Sequence, residues 1–96
     1  MESGIYCILN LKNNKRYIGQ SKDLEMRKNK NLRSLRDKNH YNKHLQRDFN
    51  SDGEENFEFV ILEKCSIDEL DSRELHYIQK FETMNKDKGY NNLSLE

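Results

Sequence analysis

Two β-favouring runs, Ile5-Tyr6-Cys7-Ile8-Leu9 and Arg16-Tyr17-Ile18-Gly19, stand at the start of the chain with the turn signal Asn13-Asn14 between them. Runs of this composition on either side of a short polar turn predict a β-hairpin. Side chains alternate across a strand, so Ile5, Cys7 and Leu9 share one face while Tyr6 and Ile8 share the other. The hairpin therefore brings two phenols, Tyr6 and Tyr17, near each other on a small antiparallel sheet. Such a pair can serve packing, or it can line up a reactive water.

Beyond the hairpin the pattern turns helical. Ser21 is placed to cap a helix over residues 22–37. A second, shorter helix carrying Leu45 and Phe49 fits residues 42–50 and stops at Ser51-Asp52-Gly53. Phe57, Phe59 and Ile61 alternate with Glu58, Val60 and Leu62, which predicts a third strand. Ser66-Ile67-Asp68-Glu69 is a capping box that opens a third helix ending near residue 81. Gly89-Tyr90-Asn91-Asn92 reads as irregular chain. The expectation is a single α+β domain over residues 1–96, a three-stranded antiparallel sheet flanked by about three helices.

Ninety-six residues leave room for one core. With 35% charged residues the chain could suit disorder, but its clustered apolar residues and zero formal net charge argue for a folded domain with a thin core. No apolar run approaches a membrane span, and Glu2 and Asn10 interrupt the apolar stretch nearest the N-terminus, so neither a span nor a signal peptide is expected. Cys7 and Cys65 are far apart and form no CxxC pair, which suits two reduced structural cysteines in a cytoplasmic protein.

The zero net charge hides an asymmetry. Residues 22–48 carry nine Lys/Arg against four Asp/Glu, whereas residues 52–82 carry three against ten. The first segment could meet phosphate and the second should repel it. Two ordinary solvated helix faces would give the same pattern. A neutral domain is a poor sole holder of a polyanion, so a DNA partner would call for an additional DNA-binding module or partner chain.

Two charged residues occupy positions where helical periodicity wants apolar ones. Ile67, Leu70, Glu74, Ile78 and Phe81 form one stripe, with Glu74 at its centre; Leu24, Arg27, Asn31 and Leu35 form another. A carboxylate turned toward a core is costly unless it is paired or holds a cation. Glu74 and Arg27 could form a structural salt bridge, or they could supply a cation-holding carboxylate and a phosphate-gripping guanidinium. Only one carboxylate stands out in this way, which favours one divalent ion over a two-metal cluster. His40 falls in the bend between the first two helices, where it could be an acid–base group or simply solvated. His76 lies off the Glu74 stripe and is expected to be exposed. No third ligand accompanies His40 and His44, so zinc is rejected.

Gly4-Ile5-Tyr6 and Tyr17-Ile18-Gly19, separated by ten residues and followed in order by Arg27, Glu74 and Asn91, resemble the GIY-YIG nuclease family. Ser21-Lys22-Asp23, His40, Leu45-Gln46-Arg47, Arg73-Glu74 and Gly89-Tyr90-Asn91 further resemble the catalytic domains of phage intron-encoded homing endonucleases. The resemblance implies hydrolysis of a DNA phosphodiester with one Mg2+, for which Mn2+ can substitute, in the cytoplasm of a bacterial or phage-infected cell. It implies that Glu74 holds the metal, that Arg27 stabilises the pentacoordinate phosphate, that Tyr6 is the general base and that Tyr17 positions the water. Asn91 would brace the site, Gly19 would leave room for neighbouring backbone, and Lys15 would be a weaker phosphate contact.

A free phenol titrates near 10, so only about one in a thousand is ionised at neutral pH, and a tyrosine base needs help. Relatives often place a histidine four residues after the arginine; here Asn31 stands there and cannot titrate. The resemblance then leaves His40 as the nearest helper in the sequence. Its alternatives are an impaired nucleic-acid-binding member, or a repair-type incision domain working inside a larger complex.

Overall fold

The hairpin forms from β1 (Gly4–Asn10) and β2 (Arg16–Ser21) in antiparallel register, with Tyr6 opposite Gly19 and Ile8 opposite Tyr17. The structure is a computed structural model and describes residues 1–91. Asn14 closes the turn with φ 62°, a left-handed conformation that asparagine tolerates better than most residues. β3 (Phe57–Lys64) joins the free side of β1, also antiparallel, giving the order β2-β1-β3. β1 is thus the central strand, which is why it is buried along almost its whole length.

Three helices cover the sheet: α1 (Leu24–Arg36), α2 (Lys43–Asp52) and α3 (Leu70–Phe81). On one face Tyr6, Ile8 and Tyr17 pack with Leu24 and Leu35 of α1, Leu45 and Phe49 of α2, and Tyr90. On the other face Ile5, Cys7 and Ile18 pack with Leu70 and Ile78 of α3. The alternation expected for β1 is therefore the partition between two core layers. Both cysteines are free, and burial pushes the Cys7 thiol up to about 11, so it stays protonated and acts as a small apolar group. No helix among the described residues is long and apolar enough to cross a membrane.

Three local expectations are corrected. Ser21 does not cap α1; it ends β2, where its Oγ donates to the Asp23 carbonyl (2.8 Å) and accepts from the Asp23 amide (3.0 Å). The cap is Asp23, whose carboxylate accepts from the Met26 amide, and an anion suits the positive end of a helix. The Ser66–Glu69 box does form, but it opens one 3₁₀ turn (Ile67–Glu69) before α3 begins. Ile67, expected on the inward stripe, is exposed in that turn, while Leu70 and Ile78 are buried.

The tail is more ordered than the sequence suggests. Gly89 forms a parallel bridge with Arg16, and the Tyr90 amide donates to the Arg16 carbonyl (2.9 Å), so residues 89–91 extend the β2 edge. Asn92, the last residue of the stretch expected to be irregular, lies outside the described residues.

Candidate active site

Gly19 makes room for a ring. A Cβ built there would lie 2.3 Å from both Cζ and Oη of Tyr6, because the phenol crosses directly over its cross-strand partner. The space is thus taken by the Tyr6 side chain and not by backbone. Tyr6 is 2% exposed, stacks on Phe59 (4.8 Å between ring centroids) and accepts a hydrogen bond from Asn31 Nδ2 (3.2 Å). Burial pushes its phenol up to about 12. The Asn31 bond and the Arg27 charge pull it down, while Tyr41 and Glu74 push it further up.

Asn31 joins Tyr6 to His40, and the neighbours fix both orientations. The Asn42 amide donates to His40 Nδ1 (3.0 Å), so the imidazole proton sits on Nε2 and is donated to Asn31 Oδ1 (2.8 Å). Asn31 Nδ2 then faces two acceptors, the Arg27 carbonyl (3.1 Å) and Tyr6 Oη. His40 is 1% exposed, and burial holds its pKa below the ordinary histidine value. With both ring nitrogens engaged and the neutral form favoured, it has no lone pair to receive a proton from the site. In this geometry it lies behind Asn31 as seen from Tyr6.

Tyr17 lies on the same sheet face, 7% exposed, with its ring edge-on to His40 (6.0 Å, 87°). Its hydroxyl is bonded to that of Tyr41. Tyr41 is 70% exposed and lies flat on His40, with ring centroids 4.7 Å apart and an interplanar angle of 21°. Nothing in the sequence marks Tyr41 as part of a site. The only cue is an aromatic next to His40 in an otherwise polar bend.

Arg27 and Glu74 approach from opposite faces of the sheet, on α1 and α3, yet both charges reach Tyr6. Both helices pack on β2, the edge strand beside β1, which carries Tyr6. Arg27 is half-buried, and its Nε is buried without a hydrogen-bond partner among the described residues. Glu74 is also half-buried; its Oε1 accepts from Gln20 Nε2 (3.1 Å), which donates as well to Asp71 Oδ1 (2.7 Å). Gln20 follows Gly19 in β2 and points to the α3 side, so it is a second neighbour that the sequence did not single out.

Among the described residues, no three His, Cys, Asp or Glu side chains converge as a ready-made metal cage. The Glu74 carboxylate, with Asp71 nearby, still fits a hard divalent cation. Mg2+ keeps several waters and commonly takes only one or two protein carboxylates together with phosphate oxygens.

The remaining expected residues divide. Asn91 grips Ile18 on both sides, accepting from its amide (2.8 Å) and donating to its carbonyl (2.9 Å), and so fixes β2 between Tyr17 and Gly19. Lys15 Nζ is 3.4 Å from His44 Nε2 and 5.9 Å from the centre of the Tyr90 ring. His76 is exposed, as its position off the stripe suggests. Gln46 is a further support, accepting from the His40 amide (2.9 Å) and donating to the Leu35 carbonyl (3.0 Å). It ties the histidine bend to the end of α1.

Comparison with known proteins bears on this arrangement directly. The GIY-YIG catalytic domain model matches residues 2–91. Intron-associated endonuclease 1 of Enterobacteria phage T4 is 40% identical over 93 residues, which are 95% of this chain and 37% of that protein. The chain therefore spans well under half the length of this relative. The catalytic domain of intron endonuclease I-TevI, solved as a glutamate-to-alanine mutant, superposes with a TM-score of 0.84 at 38% identity, covering 95% of this chain and 93% of that one. The catalytic domain of homing endonuclease I-TevI gives a TM-score of 0.84 at 33% identity, covering 95% of this chain and 100% of that one. Family, sequence relative and fold agree over nearly the whole chain, which therefore belongs to the GIY-YIG family and matches its catalytic domain.

Proposed function

We propose that the domain hydrolyses DNA phosphodiesters with one Mg2+ and a tyrosine general base, as the catalytic part of a homing-type endonuclease. The reading is carried by one observation: the phenol of Tyr6 feels a cation, Arg27, and a carboxylate, Glu74, that come from helices on opposite faces of the sheet. A phosphodiesterase needs those three groups within reach of one phosphate. The family's general use of a divalent metal supports the cofactor class, and the choice of Mg2+ rests on the hard oxygen donors at Glu74.

In this reading Glu74 holds the metal, whose chemistry is to polarise a phosphate oxygen and offset negative charge at phosphorus. Arg27 adds a fixed positive charge beside the phosphate, and its unpartnered Nε fits an arginine whose donors are kept for substrate. The resemblance favours Tyr6 as the base with Tyr17 holding the water. At about 12 the Tyr6 phenol is almost wholly protonated at neutral pH, so it must shed its own proton as it takes one from water. Asn31, Gln20, His40 and Asn91 act by holding these groups in place. DNA affinity comes largely from a further DNA-binding module or partner chain, in keeping with the fraction of the T4 relative that this domain spans.

Supercoiled plasmid incubated with Mg2+, and separately with EDTA, tests the reading. Nicking or linearisation is expected only with the metal, with Mn2+ able to replace it. Glu74→Ala and Arg27→Ala should each slow cleavage by about 10²–10³-fold while the domain stays folded by circular dichroism. Parental cleavage by Glu74→Ala would remove the metal assignment. A large fall in Tm for Arg27→Ala, with cleavage retained by the folded fraction, would return Arg27 to a structural role.

A further inference from the structure

We infer that Tyr41 is a positioning and relay residue of this site: its hydroxyl takes the proton that Tyr17 releases and passes it to bulk water, making Tyr17 the phenol that accepts the proton of the attacking water. The inference rests on the proposed hydrolytic function with a tyrosine general base, and it moves that role from Tyr6, which the resemblance favours, to Tyr17.

A phenol serves as a base at neutral pH only if its own proton has somewhere to go. For Tyr6 the neighbours that hold it close the route. Asn31 Nδ2 is a donor and never an acceptor, and behind it His40 Nε2 already bears a proton while Nδ1 is occupied by the Asn42 amide. For Tyr17 the neighbour is another hydroxyl, which donates and accepts at once. Tyr17 is buried and Tyr41 is 70% exposed, so the pair runs from the interior of the site to solvent. The Tyr41 ring is held for this purpose by lying flat on His40, which is itself fixed by the Asn31 and Asn42 bonds.

The proton balance closes without a stable phenolate. As water attacks phosphorus, its O–H bond breaks and the proton passes to Tyr17 Oη. The proton of Tyr17 moves to Tyr41 Oη, and that of Tyr41 moves to bulk water. The electron pair of the nascent hydroxide forms the new P–O bond, the P–O bond to the leaving deoxyribose oxygen breaks, that oxygen takes a proton from bulk water, and both phenols end as they began. Tyr6 then holds the water, and the absence of a titrating side chain at Asn31 is no obstacle.

Single-turnover cleavage of supercoiled plasmid by the full chain with Mg2+ is the test, comparing the parental protein with Glu74→Ala, Tyr41→Phe and Tyr41→His. Tyr41→Phe keeps the ring on His40 and removes only the hydroxyl. It should lower the maximal rate about 10²-fold, leave half-saturating DNA and Tm unchanged, and be partly rescued by Tyr41→His, which restores a group able to accept and donate a proton. A parental rate for Tyr41→Phe overturns the inference, as does a loss confined to half-saturating DNA, which would make Tyr41 a DNA contact. Equal rates for Tyr41→Phe and Tyr41→His overturn it too. Failure of the parental protein to cut is read on a different sample and defeats the hydrolytic reading and this inference with it, whereas equal cutting by Glu74→Ala removes the metal assignment.

Discussion

At the scale of single residues, the site is built on close approach and fixed polarity. Gly19 is required by the ring of Tyr6, 2.3 Å from where a Cβ would stand, and a paired strand cannot retreat by the distance needed. Gly19→Ala should therefore displace the phenol, costing about 1–3 kcal/mol of stability and roughly 10²-fold in cleavage, read by chemical denaturation and plasmid nicking. His40 makes a second prediction. Burial holds its imidazole neutral in the fold, whereas the unfolded chain protonates near pH 6.5, so below that pH protons bind the unfolded state more strongly. His44 is shifted the same way, by burial and then by Lys15. Stability, and Tm with it, should fall between pH 7 and 5, with a slope of up to about 1.4 kcal/mol per pH unit from the buried His40 and less from the partly exposed His44, and the slope should flatten in His40→Gln. An unchanged slope in that variant would place the proton uptake elsewhere.

At the scale of elements, the two connections that look least structured do the most positioning. The bend after α1 carries His40 and Tyr41 and is held by Gln46 of α2 from one side and by the Asn42 cap from the other. Asn42 Nδ2 also donates to the Tyr90 carbonyl (2.7 Å), and Tyr90 Oη bridges Asn10 and Asp48, so the tail locks α2 against the hairpin. Asn91 completes this by replacing a missing strand partner for Ile18. Asn91→Ala leaves an amide and a carbonyl of an edge strand unpaired beside the two tyrosine positions. It should cost about 1–3 kcal/mol and lower cleavage in the folded fraction as well, because β2 is then free to shift relative to β1. Thermal melts with cleavage normalised to folded protein check both parts; full activity per folded molecule would reduce Asn91 to a structural clamp.

At the scale of the whole molecule, the charge asymmetry becomes a spatial one. The basic segment builds α1 and α2 on one face of the sheet, and the acidic segment builds β3 and α3 at its edge and other face. Phosphate should therefore be met on the α1 side, with Glu74 on the acidic side offset by a dication. Charge reversal of the exposed Lys28 and Lys30 should weaken DNA binding across sequences and reduce the steepness of its salt dependence by about one ion for each phosphate no longer neutralised. Fluorescence anisotropy over a salt series measures this; an unchanged slope would move the DNA path off α1.

What the sequence determined by itself rests on local chemistry. Alternation in residues 5–9 and 57–62, the turn at Asn13-Asn14, the stop at Gly53 and the inward placement of Arg27, Asn31 and Glu74 are all periodicities or signals of one segment, and each is present in the fold. The starts of α1 at Leu24 and of α3 at Leu70 departed from expectation by two and three residues, because rival caps within a few positions differ little in energy. Tertiary structure alone decided which groups meet. His40 is buried and hydrogen-bonded at both ring nitrogens because residues from α1, α2 and the bend converge on it. Tyr41 meets Tyr17, and Lys15 meets His44, through contacts between segments tens of residues apart, for which no single stretch of chain carries a signal.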